Sequence, residues 1–453
     1  MSPSVLTWGT DPGSVPRLAS ERLRALESSH HAMWNYLTYR DAIGLVGLDP
    51  VTLYPGGSTR LDPATWADLG WLTCFAGPPA SAVDAMRDAV TAEHLNQYSP
   101  DLIEPLRDAA AGVLGRPRDK GFEVVGTEGA QAGIALSLMA VAGPGDEVIL
   151  SDPGYFHVPS AVIATGAVPV TVAIGASSGF RLDPDAVAAA ITPRTRAIVV
   201  VDPLNPYGTV QTAGELAALA RLADEHALLL VHDVTHAPLV IDPDVPFASL
   251  PALALTDNAV ATFSVSHCFG MAGARIGFLA GSSRLMRSCL RLKAALTRLN
   301  TSLVAQHGAL AALEDEHYLD HAERIVCGNL DHLRQTLAGV GGIALATSPV
   351  RGLSCALDTA GAGITAQELM VALFARRVAT YPGDGMGATG AATTLRLNLS
   401  RPDPWAMEHL RSVLPAAIAE AAGGRWREPV AVLLESKATP RAIGLAATVR
   451  GGP

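Results

Sequence analysis

The sequence predicts an α/β protein, a largely parallel sheet covered by helices, with a second, smaller lobe following it. Three observations lead there. From about residue 76, apolar runs rich in Val, Ile and Leu alternate with Ala/Leu-rich helical stretches, the pattern of parallel strands joined by covering helices. Chemically loaded residues come straight after three of those runs: Asn205, then Asp233, then Ser264 to His267. In an open α/β sheet a ligand sits outside the carboxyl ends of the strands, so these residues converge on one crevice. The third observation is size. With 453 residues, 49% hydrophobic and 17% charged, the chain suits two or three lobes sharing a core.

Taken in order, residues 1–75 are irregular, punctuated by Pro, Gly and Trp, with one helical piece expected from Ser20 to about Tyr39. Gly56-Gly57-Ser58 fits an ordinary turn as well as a segment entering a binding site. A helix is expected at Pro105–Leu114, closed by Gly115, and another at Gly129–Val141. The strand Glu147–Leu150 follows the turn Gly143-Pro144-Gly145-Asp146. Further strands are expected at Val168–Ile174, Ala197–Val201, Leu228–Val231 and Ala259–Phe263. Thr212 and Glu215 have the spacing at which hydroxyl and carboxylate cap each other's backbone amides, opening a helix to about His226. One long helix is expected from Ser283 to about Leu313. Beyond it Thr365 and Glu368 repeat the capping spacing and open a helix through Val378, before a strand at Thr394–Leu399 and a helix from Pro404 to about Ala422. The domains expected are therefore an N-terminal segment joining the small lobe (1–75), a large domain (76–305), a smaller one (306–423) and a tail (424–453).

Composition excludes several classes. A net charge of −10 argues against nucleic acid or an anionic membrane as partner. No apolar run is long enough to span a bilayer, and the N-terminus lacks a signal pattern, so a cytoplasmic protein is expected. The five cysteines are scattered without a C-x-x-C pair, which suggests neither a disulfide framework nor a zinc site. His232 and His236 have metal-pair spacing only on a helix, and they end a strand, so no metal is expected. Lysine is scarce: Lys120, Lys293 and Lys437 are the only three.

The motifs are more specific. Gly126-Thr127-Glu128-Gly129-Ala130-Gln131 precedes a helix, whose free amides and dipole suit an anion. Asp152-Pro153-Gly154-Tyr155 follows a strand, as does Asp202-Pro203-Leu204-Asn205-Pro206-Tyr207-Gly208. Then come His232-Asp233-Val234-Thr235-His236, the loop from Ser264 and Ser266 through His267 to Arg275-Ile276-Gly277-Phe278, and Arg396 in Leu395-Arg396-Leu397-Asn398. In this order, from about residue 95 to 400, the set resembles the class I/II aminotransferases, the fold-type-I enzymes dependent on pyridoxal phosphate (PLP).

The resemblance implies a large domain with a mostly parallel seven-stranded sheet and a smaller α+β domain. It implies that Gly129, Ala130 and Gln131 cradle the cofactor phosphate with Ser264, Ser266 and Arg275, and that Tyr155 stacks on the pyridine ring. Asn205 would bond the phenolic oxygen. Asp233 would pair with the ring nitrogen and keep the ring an electron sink. Arg396 would grip the substrate α-carboxylate. Tyr98, in Asn96-Gln97-Tyr98, would reach the phosphate of a neighbouring subunit, which implies a homodimer. Tyr207 stands where the family has threonine and is expected to fill part of the pocket.

Two departures fall together. His267 stands where the family places the lysine that forms a Schiff base with PLP, and His236 where it places a tyrosine. Histidine cannot form that Schiff base, but it carries protons near neutral pH. The related sugar dehydratases that use pyridoxamine phosphate (PMP) have histidine at this position and use it as a base. Two functions follow. The first is an enzyme holding PLP or PMP noncovalently, with His267 as general acid and base, Asp233 and His236 beside it, and an amino acid or keto acid as substrate. Its chemistry would be transamination, or Cα deprotonation leading to elimination, cyclisation or epimerisation. The second is a catalytically silent homologue acting as a binding or partner subunit. Asp233, Asn205, Arg275 and Arg396 together favour the first, since a silent protein needs neither a ring-nitrogen partner nor a carboxylate grip.

Overall fold

A computed structural model describes residues 20–29, 39–47, 61–255, 258–298 and 300–451; Gly56-Gly57-Ser58 lies outside them. The short strand β1 (Ala67–Asp68) precedes the main sheet. That sheet is built from β2 (Phe122–Thr127), β3 (Glu147–Asp152), β4 (Val168–Ala173), β5 (Thr195–Val201), β6 (Leu229–Asp233), β7 (Ala259–Ser264) and β8 (Gly277–Ser282). It has seven strands in the order β2-β8-β7-β6-β5-β3-β4. Neighbours from β7 to β4 run parallel, and β8 runs antiparallel to both β7 and β2. Fold-type-I architecture is therefore what the chain adopts.

Alternation along each strand feeds two cores. Val148, Leu150, Ala197, Val199, Leu229 and Val231 pack on one face, under the helices Ala130–Met139 and His157–Thr165. Ile149, Ile198, Val200 and Leu230 face the other way, against Leu216 and Leu219 of the helix Ala213–Glu225. Because both faces are covered, the strands read as continuous apolar runs. The expected capping box is present, with Glu215 N donating to Thr212 Oγ1 at 3.1 Å and Thr212 N to Glu215 Oε2 at 2.8 Å.

Behind this lies an antiparallel sheet of β9 (Ala344–Leu345), β10 (Ser354–Asp358), β12 (Tyr381–Pro382) and β13 (Thr394–Asn398), in the order β12-β13-β10-β9. Strand β11 (Val378–Ala379) pairs in parallel with β1. The early chain thus returns to a strand formed about three hundred residues later.

Several element boundaries differ from the sequence reading. The first helix stops at Ser28, where Ser29 turns extended (φ −69°, ψ 131°), and a separate helix runs Tyr39–Val46. The long helix is two, Ser283–Thr297 and Leu303–Leu313, broken where Arg298 takes φ +62°. Long-range bonds hold that break: Asn300 Nδ2 donates to the Ser99 carbonyl at 2.5 Å, and Gln306 Nε2 to the Pro100 carbonyl at 3.2 Å. The helix opened by Thr365 ends at Phe374, and Val378 is instead fully buried in β11. The segment read as a tail folds into helices Arg427–Ser436 and Pro440–Val449, whose Val430, Leu434 and Val449 enter the main core. Among the described residues, no helix is long and apolar enough to cross a membrane.

Candidate active site

A cavity of about 380 Å³ opens where β5, β6 and β7 end, at Val201, Asp233 and Ser264. Every site residue named from the sequence lines it except Tyr98. That convergence follows from parallel strands delivering their carboxyl ends to one edge.

One end is shaped for an anion. Gly129 has φ +92° and caps the helix beginning at Ala130, so the Ala130 and Gln131 amides lie at a helix N-terminus. A Cβ at Gly277 would lie 2.5 Å from the Gly129 backbone carbonyl carbon, so only glycine lets these chains approach. Ser264 and Ser266 are buried beside them. Arg275 takes φ +54° and donates from Nη2 to the Glu128 carbonyl at 2.8 Å and from Nη1 to the Ala272 carbonyl at 2.9 Å.

The floor is acidic. Asp233 is 5% exposed, and its Oδ1 accepts from Thr235 N at 3.0 Å and from Thr235 Oγ1 at 2.5 Å. Burial pushes its carboxyl up despite those donors. His232, one residue earlier, points to the other face, where Nε2 lies 3.1 Å from Asp202 Oδ2 and Nδ1 accepts from Leu250 N at 3.4 Å. The strand has thus separated His232 from His236. Among the described residues no group of three His, Cys, Asp or Glu side chains is placed to hold a metal.

At the far end, buried Arg396 donates to the Gly70 carbonyl at 2.9 Å and to Asn205 Oδ1 at 3.4 Å, with its guanidinium 4.6 Å over the Tyr381 ring. Tyr155 lies on one wall; burial, then the Asp233 charge, pushes its hydroxyl far above the usual tyrosine range.

His267 Nδ1 is 2.9 Å from the Leu72 carbonyl. A carbonyl only accepts, so Nδ1 carries the hydrogen and Nε2 keeps the lone pair. Burial, with the Arg396 and Arg275 charges beside it, holds the imidazole at about 4, although the Leu72 bond works the other way. The His236 ring stacks on it at 4.7 Å and 25°. Burial, then His267 and Arg396, holds His236 well below the usual range.

The three lysines lie elsewhere. Lys293 is buried between Asp101 Oδ1 at 2.5 Å and Thr301. Lys437 pairs with Asp41 at 2.9 Å, and Lys120 is exposed.

One residue differs from expectation. Tyr207 does not fill the pocket: it is 1% exposed behind it, stacked 4.0 Å from Phe180, with its hydroxyl 3.1 Å from Thr394 Oγ1. Tyr98 is 75% exposed outside its own chain's cavity and accepts from Arg298 Nη1 at 2.7 Å. Sequence reasoning also missed Trp71, Leu72, Phe156, His157, Thr235 and Tyr381, all of which line the cavity. Only Thr235 carried a signal, a hydroxyl two residues after an aspartate, where it bonds the carboxylate.

The family model for aminotransferases of class I and II matches residues 72–414. The chain belongs to that family. A probable N-succinyldiaminopimelate aminotransferase of Mycobacterium tuberculosis is 32% identical over 273 residues, 58% of this chain and 68% of its own. An aspartate/prephenate aminotransferase of Thermus thermophilus is 31% identical over 324 residues, 69% of this chain and 81% of its own. Among solved structures, aspartate aminotransferase from Thermus thermophilus with maleate superposes with TM-score 0.72 at 26% identity, covering 90% of this chain and 100% of that one. This family member is thus an aminotransferase-like enzyme acting on amino acids, and the family uses PLP. The donor set fits that cofactor. A glycine cradle with two serines and an arginine suits a phosphate dianion, and the Asp233 carboxylate, pushed up by burial, suits a protonated ring nitrogen.

Proposed function

We propose that this enzyme works without a Schiff-base lysine, holding PLP or PMP noncovalently while His267 moves the proton at the substrate Cα. The carrying observation is the His267 Nε2 lone pair in a cavity that none of the chain's lysines lines. When bound, the cofactor supplies an electron sink that acidifies the Cα–H of an attached amino acid.

The protein's residues do the rest. The Ala130 and Gln131 amides, Ser264, Ser266 and Arg275 would hold the phosphate. Tyr155 would cover the ring, Asn205 would bond the phenolic oxygen, and Asp233 would keep the ring nitrogen protonated. Arg396 grips the α-carboxylate and so orients the Cα–H. His267 Nε2 takes that proton, and His236, stacked on it in place of the family's tyrosine, keeps water from the imidazole face. Returned to the Cα by His267, that proton would exchange with solvent; lost from it, the same step would open transamination or elimination.

Tyr98, exposed beside Arg298, is positioned to meet a second subunit, which supports a homodimer in which it reaches the neighbour's phosphate. The cytoplasm, free of disulfide demands, suits the five free cysteines.

Incubation with PLP and an amino-acid panel in heavy water tests the reading. Cα–H exchange or keto-acid formation that disappears in His267→Ala supports it. No exchange with any amino acid, despite bound cofactor, points to the silent homologue.

A further inference from the structure

We infer that the substrate side chain lies against an aromatic wall of Tyr381, Phe156 and Trp71, which makes the substrates α-amino acids with an apolar or aromatic side chain rather than a second carboxylate. The inference rests on the reading of Arg396 as the carboxylate grip. From that arginine the aromatic surface is continuous. Its guanidinium sits over Tyr381 at 4.6 Å, and the Phe156 ring lies 6.2 Å from Tyr381 with only 14° between the planes. Phe156 is in turn 5.2 Å from Tyr155, the residue facing the cofactor ring. A side chain leaving a carboxylate held at Arg396 and a Cα held near Tyr155 therefore passes these rings.

Trp71 stands at the rim, 47% exposed although its backbone is anchored on three sides. Arg396 Nη2 holds the Gly70 carbonyl at 2.9 Å, His267 Nδ1 holds the Leu72 carbonyl at 2.9 Å, and Asn398 Nδ2 holds the Trp71 carbonyl at 2.7 Å. A large apolar side chain is thus presented at the cavity mouth between the two residues that act on the substrate.

Charge points the same way. Among the described lining residues Arg275 and Arg396 are the only permanent cations, and the cofactor phosphate and α-carboxylate use both. The wall histidine His157 is held at about 4 by burial, and so is neutral at pH 7. A second carboxylate here would lose its water without gaining a third cation among the described lining residues. An apolar ring of the same length gains roughly tenfold to a hundredfold in affinity from burying its surface.

The test uses the PLP-loaded protein and three unreactive acids: propanoate, succinate and 3-phenylpropanoate, followed by calorimetry and tryptophan fluorescence. The wild-type comparison needs no variant. Expected is 3-phenylpropanoate binding roughly tenfold or more tighter than propanoate, succinate no tighter than propanoate, and fluorescence quenching that is lost in Trp71→Leu. Phe156→Ala should narrow the 3-phenylpropanoate advantage while leaving propanoate affinity unchanged. Succinate binding tighter than 3-phenylpropanoate overturns the inference. If in that case Arg396→Gln abolishes binding of all three acids, the carboxylate grip stands and only the aromatic wall is lost. If Arg396→Gln changes no affinity, or the wild type binds none of the acids, both readings fall.

Discussion

His267 and His236 stack with 4.7 Å between ring centroids, and the Leu72 carbonyl, 2.9 Å from His267 Nδ1, fixes which nitrogen of His267 carries the hydrogen. The Nε2 lone pair is thus oriented by a backbone group from a loop far away in the chain. The two histidines that the resemblance sets in place of a lysine and a tyrosine meet in this one contact.

The first prediction concerns protonation. Burial, with the Arg396 and Arg275 charges, holds folded His267 at about 4, below the ~6.5 of a free imidazole. The unfolded chain therefore binds the proton first. Its contribution to stability is complete above pH ~6.5 and is lost as the pH falls towards 4. Histidine-selective carbon NMR should show a resonance that stays neutral at pH 6 and is missing in His267→Gln. Inorganic phosphate, by offsetting the Arg275 charge, should move its midpoint up. A midpoint near ~6.5 that phosphate leaves unchanged would count against the buried, cation-flanked imidazole.

The second concerns attachment. Lys293 is bonded to Asp101 and Thr301, and Lys437 to Asp41, and no lysine lines the cavity. Borohydride reduction of the PLP-loaded protein, followed by peptide mass spectrometry, should find no pyridoxyl group on any peptide. A reduced adduct on Lys120, Lys293 or Lys437 would sink the noncovalent reading.

Asp233 offers a third measurement. An ionic hydrogen bond to a ring nitrogen contributes about 1.5–3 kcal/mol, so Asp233→Asn should weaken PLP binding roughly tenfold to a hundredfold. Cα–H exchange should fall by more than binding does, because a ring nitrogen left unprotonated is a poorer electron sink. Equal affinity and exchange in wild type and variant would remove Asp233 from the site.

Gly277→Ala tests the phosphate cradle. The added Cβ would lie 2.5 Å from the Gly129 backbone, so the turn must shift at a cost of about 1–3 kcal/mol. Thermal melts should show that loss, and phosphate should no longer raise the melting temperature. A variant still stabilised by phosphate as the wild type is would place the anion elsewhere.

The C-terminal helices yield a fifth. The Lys437 side chain is 4% exposed and its partner Asp41 16%; breaking such a pair from one side leaves a buried charge and costs about 3 kcal/mol. Urea melts of Lys437→Met should show a loss of that order, partly restored by adding Asp41→Leu. Unchanged stability would mean that the helix Tyr39–Val46 is not tied down through this pair.

Much of the architecture was legible because its causes are local. Val148, Val199 and Val231 alternate with Ile149, Ile198 and Leu230 on two-sided strands, and Thr212 with Glu215 caps a helix through neighbours three residues apart. Asn205, Asp233 and Ser264 follow strand ends, so a parallel sheet alone brings them to one edge. The sequence by itself determined the sheet, the crevice, and the two histidines placed where a lysine and a tyrosine are expected. What only the tertiary structure decided depends on residues far apart in the chain. The break at Arg298 answers to Asn300 and Gln306 bonding the Ser99 and Pro100 carbonyls, 201 and 206 residues earlier, and β11 exists because β1 is there to pair with it. Trp71, Phe156 and Tyr381 share no motif and line one cavity only because the chain after β1, the turn after β3 and strand β12 come together at it. The His267 tautomer was likewise beyond reach of the sequence, since a backbone carbonyl carries no residue identity and its direction is set by the packing of the whole fold.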